Sequence, residues 1–231
     1  MQQQALFMRA VFALVLVFCG AAGAAANERL AQGFTALPAG ARVIVMPMDV
    51  ELFSMSAGGV LEPQAEWTTL ALDNLRRAIR SRPTKNGAVL DTFQGEPDLM
   101  LDDFNRLHGA IGSAINIHHL GPLKLPTKEG RLEWSLGPEV SLIKQKTGAD
   151  YALFTFIRDS YASNERKAAI VIAAAFGVGL SAGVQVGYAS LVDLSTGDVV
   201  WFNRLIRGYG DLRELDNAKE SLDALLQSFP G

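Results

Sequence analysis

The stretch LVDLSTGDVVWFNRL, residues 191–205, indicates two strands that fold back on each other. Apolar and β-branched residues flank the tetrapeptide Ser-Thr-Gly-Asp at 195–198, whose residue types are typical of tight turns. Gly197 can adopt the positive φ that a short hairpin loop commonly needs. We therefore predict an antiparallel hairpin made of strands 184–194 and 198–207.

The same hairpin carries residues that could serve chemistry or binding. Asp193 and Asp198 flank the turn and could pass for a pair of catalytic carboxylates. Carboxylates at such positions more commonly accept backbone hydrogen bonds within the turn, so we interpret the hairpin as scaffold. Trp201, Phe202 and Tyr209 form the candidate contact surface, because aromatic side chains contribute strongly to protein interfaces.

Upstream of the hairpin, apolar periodicity predicts an alternation of strands and helices. A first strand begins at Val43, and Pro47 limits its secure part to 43–46, because proline cannot donate a ladder hydrogen bond. We expect 48–52 to be an edge or a bulge. The further predicted elements are a helix within 63–83, a short strand at 88–93, a helix within 97–121, a short helix from Pro138 to Lys146 stopped by Gly148, and a strand from Tyr151 to about Asp159.

A final helix follows the hairpin. Leucine and alanine recur at helical spacing from Leu212 to Leu226, with Asp211 as the predicted cap and Pro230 as the terminator. The pattern as a whole predicts an α/β (α+β) fold. Its mixed, partly antiparallel sheet carries packed helices and ends in a β-hairpin and a C-terminal helix.

Residues 168–192 contain no charged side chain and are the hardest part to assign. By length they could form a transmembrane helix, and Gly179 and Gly183 form a GxxxG pair. Four glycines and Gln185 interrupt the stretch. We therefore predict a buried helix over about 166–176, then a glycine turn and a strand, and keep membrane insertion of 168–187 as the alternative.

The N-terminus has the three-part pattern of a secretory signal peptide. One basic residue precedes a short apolar run, and Ala24-Ala25-Ala26 is a cleavage site before Asn27. Cys19 is the candidate lipidation site, although Phe18 before it departs from the small residues that such a site prefers. The predicted divisions of the chain are a signal peptide at 1–26, an N-terminal lead-in at 27–41, and one periplasmic α/β domain at 42–231.

No motif in the sequence predicts a catalytic, cofactor-binding or metal-binding residue. His108 and His119 lie 11 positions apart, about 16 Å along a helix, so they cannot share a metal ion. The glycines of residues 177–183 precede a predicted strand, whereas a dinucleotide fingerprint opens a helix. No serine stands in a G-x-S-x-G turn. The net charge of −3, without a Lys/Arg cluster, argues against nucleic-acid binding.

Two motifs carry a resemblance to a known family. Gly148-Ala149-Asp150-Tyr151 and the Leu-Val-Asp-Leu-Ser-Thr-Gly-Asp-Val-Val-Trp run at 191–201 resemble the structural signatures of a periplasmic α/β domain. The curli-secretion lipoprotein, the TolB N-terminal domain and the penicillin-binding-protein activator lipoproteins share this domain. The resemblance covers roughly 42–231 and implies a non-enzymatic part of an envelope assembly.

The sequence favours an exported, non-catalytic envelope protein that acts by protein-protein contacts in cell-envelope assembly or secretion. The alternative is a lipid-anchored or membrane-inserted subunit of an oligomeric secretion-type complex, attached through Cys19 or residues 168–187. Localisation is expected in the periplasm, with association at the outer membrane. Partner identity and oligomeric state stay open.

Overall fold

The computed structural model describes residues 28–83, 88–94 and 99–231, which build one mixed sheet with helices on both faces. The seven strands of this part are β1 (Arg42–Val45), β2 (Asp49–Met55), β3 (Leu61–Pro63), β4 (Val89–Thr92), β5 (Tyr151–Ala162), β6 (Gln185–Asp193) and β7 (Val199–Arg207). Its five α-helices are α1 (Ala65–Arg80), α2 (Leu99–His118), α3 (Ser141–Thr147), α4 (Asn164–Ala175) and α5 (Leu215–Leu225). This architecture confirms the predicted fold class.

The long strand β5 is the centre of the sheet. On one side it pairs in parallel with β1 and then with β2, and on the other it pairs antiparallel with β6. Beyond these, β4 runs parallel to β1, β3 runs antiparallel to β2, and β7 completes the predicted hairpin with β6. Parallel and antiparallel pairs therefore meet on one strand.

Pro47 produces a bulge between β1 and β2. Val45 lies opposite Leu153 and Asp49 lies opposite Phe156, so three residues of one chain segment face two of the other. The proline sits in this extra position, where its missing N–H breaks no ladder bond. Of the two expectations for 48–52, the bulge is confirmed, because β2 lies between β5 and β3.

Side chains of the strands alternate between two hydrophobic cores. On one face, Leu153 and Trp201 pack with Leu75 of α1 and Leu222 of α5. On the other face, the next residues of the same strands, Phe154 and Phe202, pack with Ile115 of α2 and Ile143 of α3. This alternation follows from the two-residue period of a strand.

Gly112 in the middle of α2 has a packing reason. A Cβ built on Gly112 would lie 2.1 Å from Cε2 of Tyr188, whereas one on Gly109 would meet nothing nearer than 4.0 Å. The ring of Tyr188 is stacked on Phe156 at 4.7 Å between centroids. The helix can approach the sheet this closely only because position 112 has no side chain.

The β6–β7 turn has the predicted chemistry. Gly197 has a φ of 83°, and the Ser195 backbone N–H donates to Asp193 Oδ1 at 2.7 Å. A Cβ on Gly197 would lie 2.1 Å from the carbonyl oxygen of Gly137, so the glycine also permits a close approach of another loop. Asp193 therefore accepts a backbone hydrogen bond within the turn, as predicted.

The predicted cap of the last helix is wrong. Helix α5 begins at Leu215 after Glu214, and no side chain caps it. Asp211 lies further upstream, where its carboxylate accepts from the Arg213 backbone N–H at 3.0 Å and from the Arg213 guanidinium. The Asp211 carboxylate is therefore engaged by Arg213 and does not cap the helix in the way that the sequence pattern had predicted.

The start of the described chain lies along the free edge of β7. Leu30 bridges to Trp201, the Phe202 N–H donates to the Arg29 carbonyl, and Leu37 is buried in the core. The predicted signal segment with Cys19, and the predicted cleavage between Ala26 and Asn27, lie outside the described residues. The predicted divisions of the chain stay predictions.

Candidate functional site at the apolar end of the sheet

Exposed apolar side chains gather at the end of the sheet where β2 and β5 finish and β6 begins. The strand register defines this end, since Met55 lies opposite Ala162 and Gln185 lies opposite both Asp159 and Arg207. Eight of the large exposed hydrophobic residues belong here, and we call them the apolar end: Val60, Leu61, Val171, Ile172, Phe176, Val178, Val184 and Tyr209.

Most of the apolar end comes from α4 and the loop after it. Phe176 is 81% exposed and Val171 is 71% exposed, and the chain has no charge from Ala168 to Val192. Water-soluble domains seldom expose a large contiguous apolar patch unless it serves an interaction. The segment is therefore the candidate functional site.

The predicted burial of this helix is wrong, although its position was predicted well. In α4 the only buried residue is Arg166, and the apolar residues that follow it are exposed or half-buried. The segment after Lys167 has no charged residue although it is not enclosed by the core, since the helix has no polar face there. Within the described residues, no helix is both long enough and apolar enough to cross a membrane.

Polar contacts at the base hold α4 to the body. Arg166 donates from Nε to the Ser181 carbonyl at 3.1 Å and from Nη1 to the Ala57 carbonyl at 3.0 Å. The Ser163 hydroxyl caps the helix by accepting from the Arg166 N–H at 3.1 Å. Sequence reasoning missed this role of Arg166, because both partners are loop carbonyl groups and Ala57 lies 109 positions away in the chain.

The predicted contact surface of Trp201, Phe202 and Tyr209 is not formed as one surface. Trp201 and Phe202 are fully buried, and they point to opposite faces of the sheet because they are consecutive residues of β7. Tyr209 alone is exposed, and the Arg207 guanidinium lies 4.2 Å from its ring centroid. Tyr209 belongs instead to the apolar end.

Each of the three histidines has its own backbone or side-chain partner. His108 Nε2 lies 2.9 Å from the Ser190 hydroxyl in the core, and its ring stacks on Phe154. His118 and His119 contact backbone carbonyl oxygens. Across the described ranges, no three metal-ligating side chains come together in a cluster.

His108 and Ser190 have the distance of a base and a nucleophile but not the setting. Both residues are about 1% exposed. Burial lowers the pKa of His108 to about 3, so its ring is neutral at physiological pH. With both groups enclosed, a substrate cannot reach them, and the contact works as core packing.

A buried polar cluster joins β5, β6 and the loop before α5. Asp159 is 2% exposed, and it accepts from the Tyr161 hydroxyl and from Gln185 Nε2 at 2.7 Å. The Tyr161 oxygen accepts from the Leu212 N–H at 2.8 Å. Burial raises the pKa of Asp159 to about 6, against the lowering effect of these hydrogen bonds.

The concave surfaces of the described residues are open depressions. One of them, about 840 Å³, lies beside the start of β7 and is lined by residues that include Phe34, Trp134 and Lys128. Another, about 620 Å³, lies at the base of α4 beside Trp67, where Asp211 and Arg213 are already paired with each other. Neither brings together a nucleophile, a base and an orienting group.

No family model and no curated protein matches this sequence. Among solved structures, the chain is similar to a PelC dodecamer from Paraburkholderia phytofirmans, with 12% identity, a TM-score of 0.40, and coverage of 85% of this chain and 93% of that one. It is also similar to the LpoB C-terminal domain from Salmonella enterica, with 14% identity, a TM-score of 0.29, and coverage of 77% and 87%.

A third similar structure is lipoprotein GNA1162 from Neisseria meningitidis, with 14% identity and a TM-score of 0.29. There the match covers 74% of this chain and 80% of that one. At such identities and scores, these likenesses carry no inference about what this chain does.

Proposed function

We propose that this chain is an exported, non-catalytic protein of the cell envelope that acts through physical contacts with other envelope components, including proteins of assembly or secretion systems. One observation carries the proposal. The apolar end is exposed, whereas side chains that could act in acid-base chemistry, such as those of His108 and Asp159, are buried and hydrogen-bonded. A protein built in this way works by what it binds.

Export remains a prediction from the sequence of residues 1–26. It is compatible with the absence of any cysteine after Cys19, because such a chain needs no control of its redox state. Lipidation of Cys19 is a separate proposal, and the mass of the processed protein decides between a start at Asn27 and an acylated start at Cys19.

Photocrosslinking in living cells tests the contact function. The photoreactive residue p-benzoylphenylalanine replaces Phe176, which is exposed and aromatic already. The matched control carries it at Leu142, which is 41% exposed and lies on α3, before the start of β5 and therefore at the opposite end of the sheet. We expect adducts from position 176 and none from position 142.

The outcome is read from the mass of the adduct. A protein adduct from position 176 identifies a protein partner, and a lipid adduct identifies the bilayer. If position 176 gives no adduct above the level of position 142, the apolar end is not a contact surface and the proposed function is wrong.

A further inference from the structure

We propose that the apolar end is a bilayer-contacting surface, on which α4 lies in the plane of the membrane with its outer face among the lipids. This inference rests on the proposed function and names one occupant of its site. Interfacial helices of this kind bury an apolar face roughly 5–10 Å deep, at the boundary of headgroups and acyl chains.

Helix α4 turns an apolar face outward. Its exposed positions after Lys167 are all apolar, namely Ala168, Val171, Ile172, Ala174 and Ala175. A helix at a protein surface normally places polar residues on the solvent side, and a helix that docks into a protein groove keeps a polar face outside the groove. An apolar outer face fits a surrounding apolar solvent better than it fits a groove.

The length of α4 also favours a position in the plane of the membrane. Helix α4 has 12 residues and is therefore about 18 Å long, whereas a spanning helix needs about 20 apolar residues. The loop that follows has irregular backbone, whose polar groups need water or headgroups. A helix in the plane of the membrane need not span the bilayer. In that position the loop stays in contact with water or headgroups, and only the outer face of α4 is buried among the lipids.

The other residues of the apolar end extend the same surface. Val60 and Leu61 come from the β2–β3 hairpin, whose loop is tied to α4 through Arg166 and Ala57. Tyr209, 67% exposed, stands beyond the end of β7. Tyrosine is enriched at membrane interfaces, where its ring is apolar and its hydroxyl is hydrated. Three separate segments therefore contribute to one surface: the β2–β3 hairpin, α4 with the loop after it, and the chain beyond β7.

The first described residues also bear on the site. Residues 29–31 run antiparallel to β7, so Arg29 lies nearer than Ala31 to the end of β7 that belongs to the apolar end. Cys19 is nine residues before Glu28 and can reach about 30 Å when extended. An acyl chain on Cys19 would thus reach the same bilayer. One acyl chain alone binds weakly, so α4 would supply the second attachment.

The charges at this end decide which lipids the surface requires. Glu62, Glu165 and Lys167 are exposed there and do not form a basic cluster. Electrostatic attraction to anionic headgroups needs several clustered basic residues. Binding should therefore depend on apolar contact, be similar on zwitterionic and anionic vesicles, and respond little to salt.

Vesicle flotation of the processed full chain tests the inference. The probes are vesicles of phosphatidylcholine alone and of phosphatidylcholine with phosphatidylglycerol. We expect the protein to float with both. Replacing Val171, Ile172 and Phe176 together by serine should weaken binding at least about 100-fold, because three apolar side chains lose their lipid contact. Replacing Leu107, Leu123 and Leu142 together by serine is the matched control and should leave binding unchanged.

A second measurement does not depend on the folding of the triple variant. Phe176→Trp and Leu142→Trp each add one indole to the native three tryptophans. Lipids brominated near the headgroup end of their acyl chains should quench the added fluorescence of Phe176→Trp and not that of Leu142→Trp. Equal quenching in the two variants would contradict the inference.

The outcomes separate this inference from the proposed function. If the protein does not float but position 176 crosslinks to a protein in cells, the membrane inference is wrong and the proposed function stands. If neither occurs, both are wrong. If the serine triple variant breaks up an oligomer and the native protein does not float, a second copy covers the apolar end and the membrane inference is wrong.

Discussion

Helices α1 and α4 differ in burial, and the difference is the opposite of what their amino-acid composition suggests. Helix α1 carries Asp73, Arg76, Arg77 and Arg80, yet five of its residues are buried. Helix α4 carries no charge after Lys167, yet only Arg166 is buried. The charged helix belongs to the core and the apolar helix lies outside it.

The physical reason lies in the period of each pattern. In α1 the apolar residues recur every three to four positions, so they form one stripe that packs against α5 and the sheet. In α4 the apolar residues are continuous, so no stripe selects a partner within the chain. Burial therefore depends on a matching surface, and hydrophobicity alone does not provide one.

The largest expected effect contrasts the two helices directly. Leu75→Ala in α1 empties a fully buried site and should lower the free energy of unfolding by about 2–5 kcal/mol. Val171→Ala in α4 should change it by less than about 0.5 kcal/mol. Urea denaturation of both variants provides the measurement. A loss above about 1 kcal/mol for Val171→Ala, outside the range of surface substitutions, would mean that α4 is packed in solution.

The second effect concerns the polar cluster beside the start of α1. Tyr161 contacts Trp67 of α1 edge to face at 5.9 Å, and Arg213 lies 4.3 Å from both rings. The Asp159 carboxyl beneath them has a pKa of about 6 in the folded protein and 3.8 as its ordinary value. The folded state therefore binds the extra proton between these pH values.

The contribution of Asp159 to the free energy of unfolding is consequently fully present below about pH 4 and is lost as the pH rises through about 6. One pKa unit corresponds to about 1.4 kcal/mol, so the loss is at most about 3 kcal/mol. Asp159→Asn should remove this part of the pH dependence. The measurement is the difference in unfolding free energy between native protein and variant from pH 4 to 7.

Taking that difference matters because other groups titrate in the opposite sense. The pKa of His108 is about 3 in the folded protein and 6.5 ordinarily, so its contribution is lost as the pH falls below about 6.5. This loss is common to the native protein and Asp159→Asn and cancels. A difference that does not vary with pH would show that Asp159 does not titrate as described.

The smallest expected effect concerns the helix ends. The Ser163 hydroxyl caps α4, whereas Gln64 at the start of α1 makes no side-chain cap. Ser163→Ala should weaken α4 by about 1 kcal/mol, seen as faster amide hydrogen exchange within α4 and little change in global stability. Gln64→Ala should leave exchange in α1 unchanged. Unchanged exchange in α4 would instead indicate that packing, rather than its cap, holds that helix.

Much of the fold could be predicted from the sequence, because it depends on local patterns. The hairpin turn at Gly197, the helix stop at Gly148 and the bulge at Pro47 each rest on the backbone preference of one residue. The burial of Trp201 and Phe202 on opposite faces also follows from the strand period, so the proposed aromatic surface could have been rejected from the sequence.

The candidate site depended on contacts between distant residues and was only half predicted. The charge-free stretch was recognised, but its helix was assigned to the core. Arg166 reaches Ala57, which lies 109 positions away in the chain. No local pattern reports that a helix is fastened at its base and otherwise exposed.

The sequence by itself determined which residues of this protein form strands, helices and turns, and that α4 is apolar without interruption. Backbone preferences and side-chain periods act over a few residues, so these properties are set locally. Only the tertiary structure decided where that apolar surface lies. Residues become buried where they pack on one of the two faces of the sheet. Helix α4 is attached beyond the end of β5, so most of its surface contacts neither face.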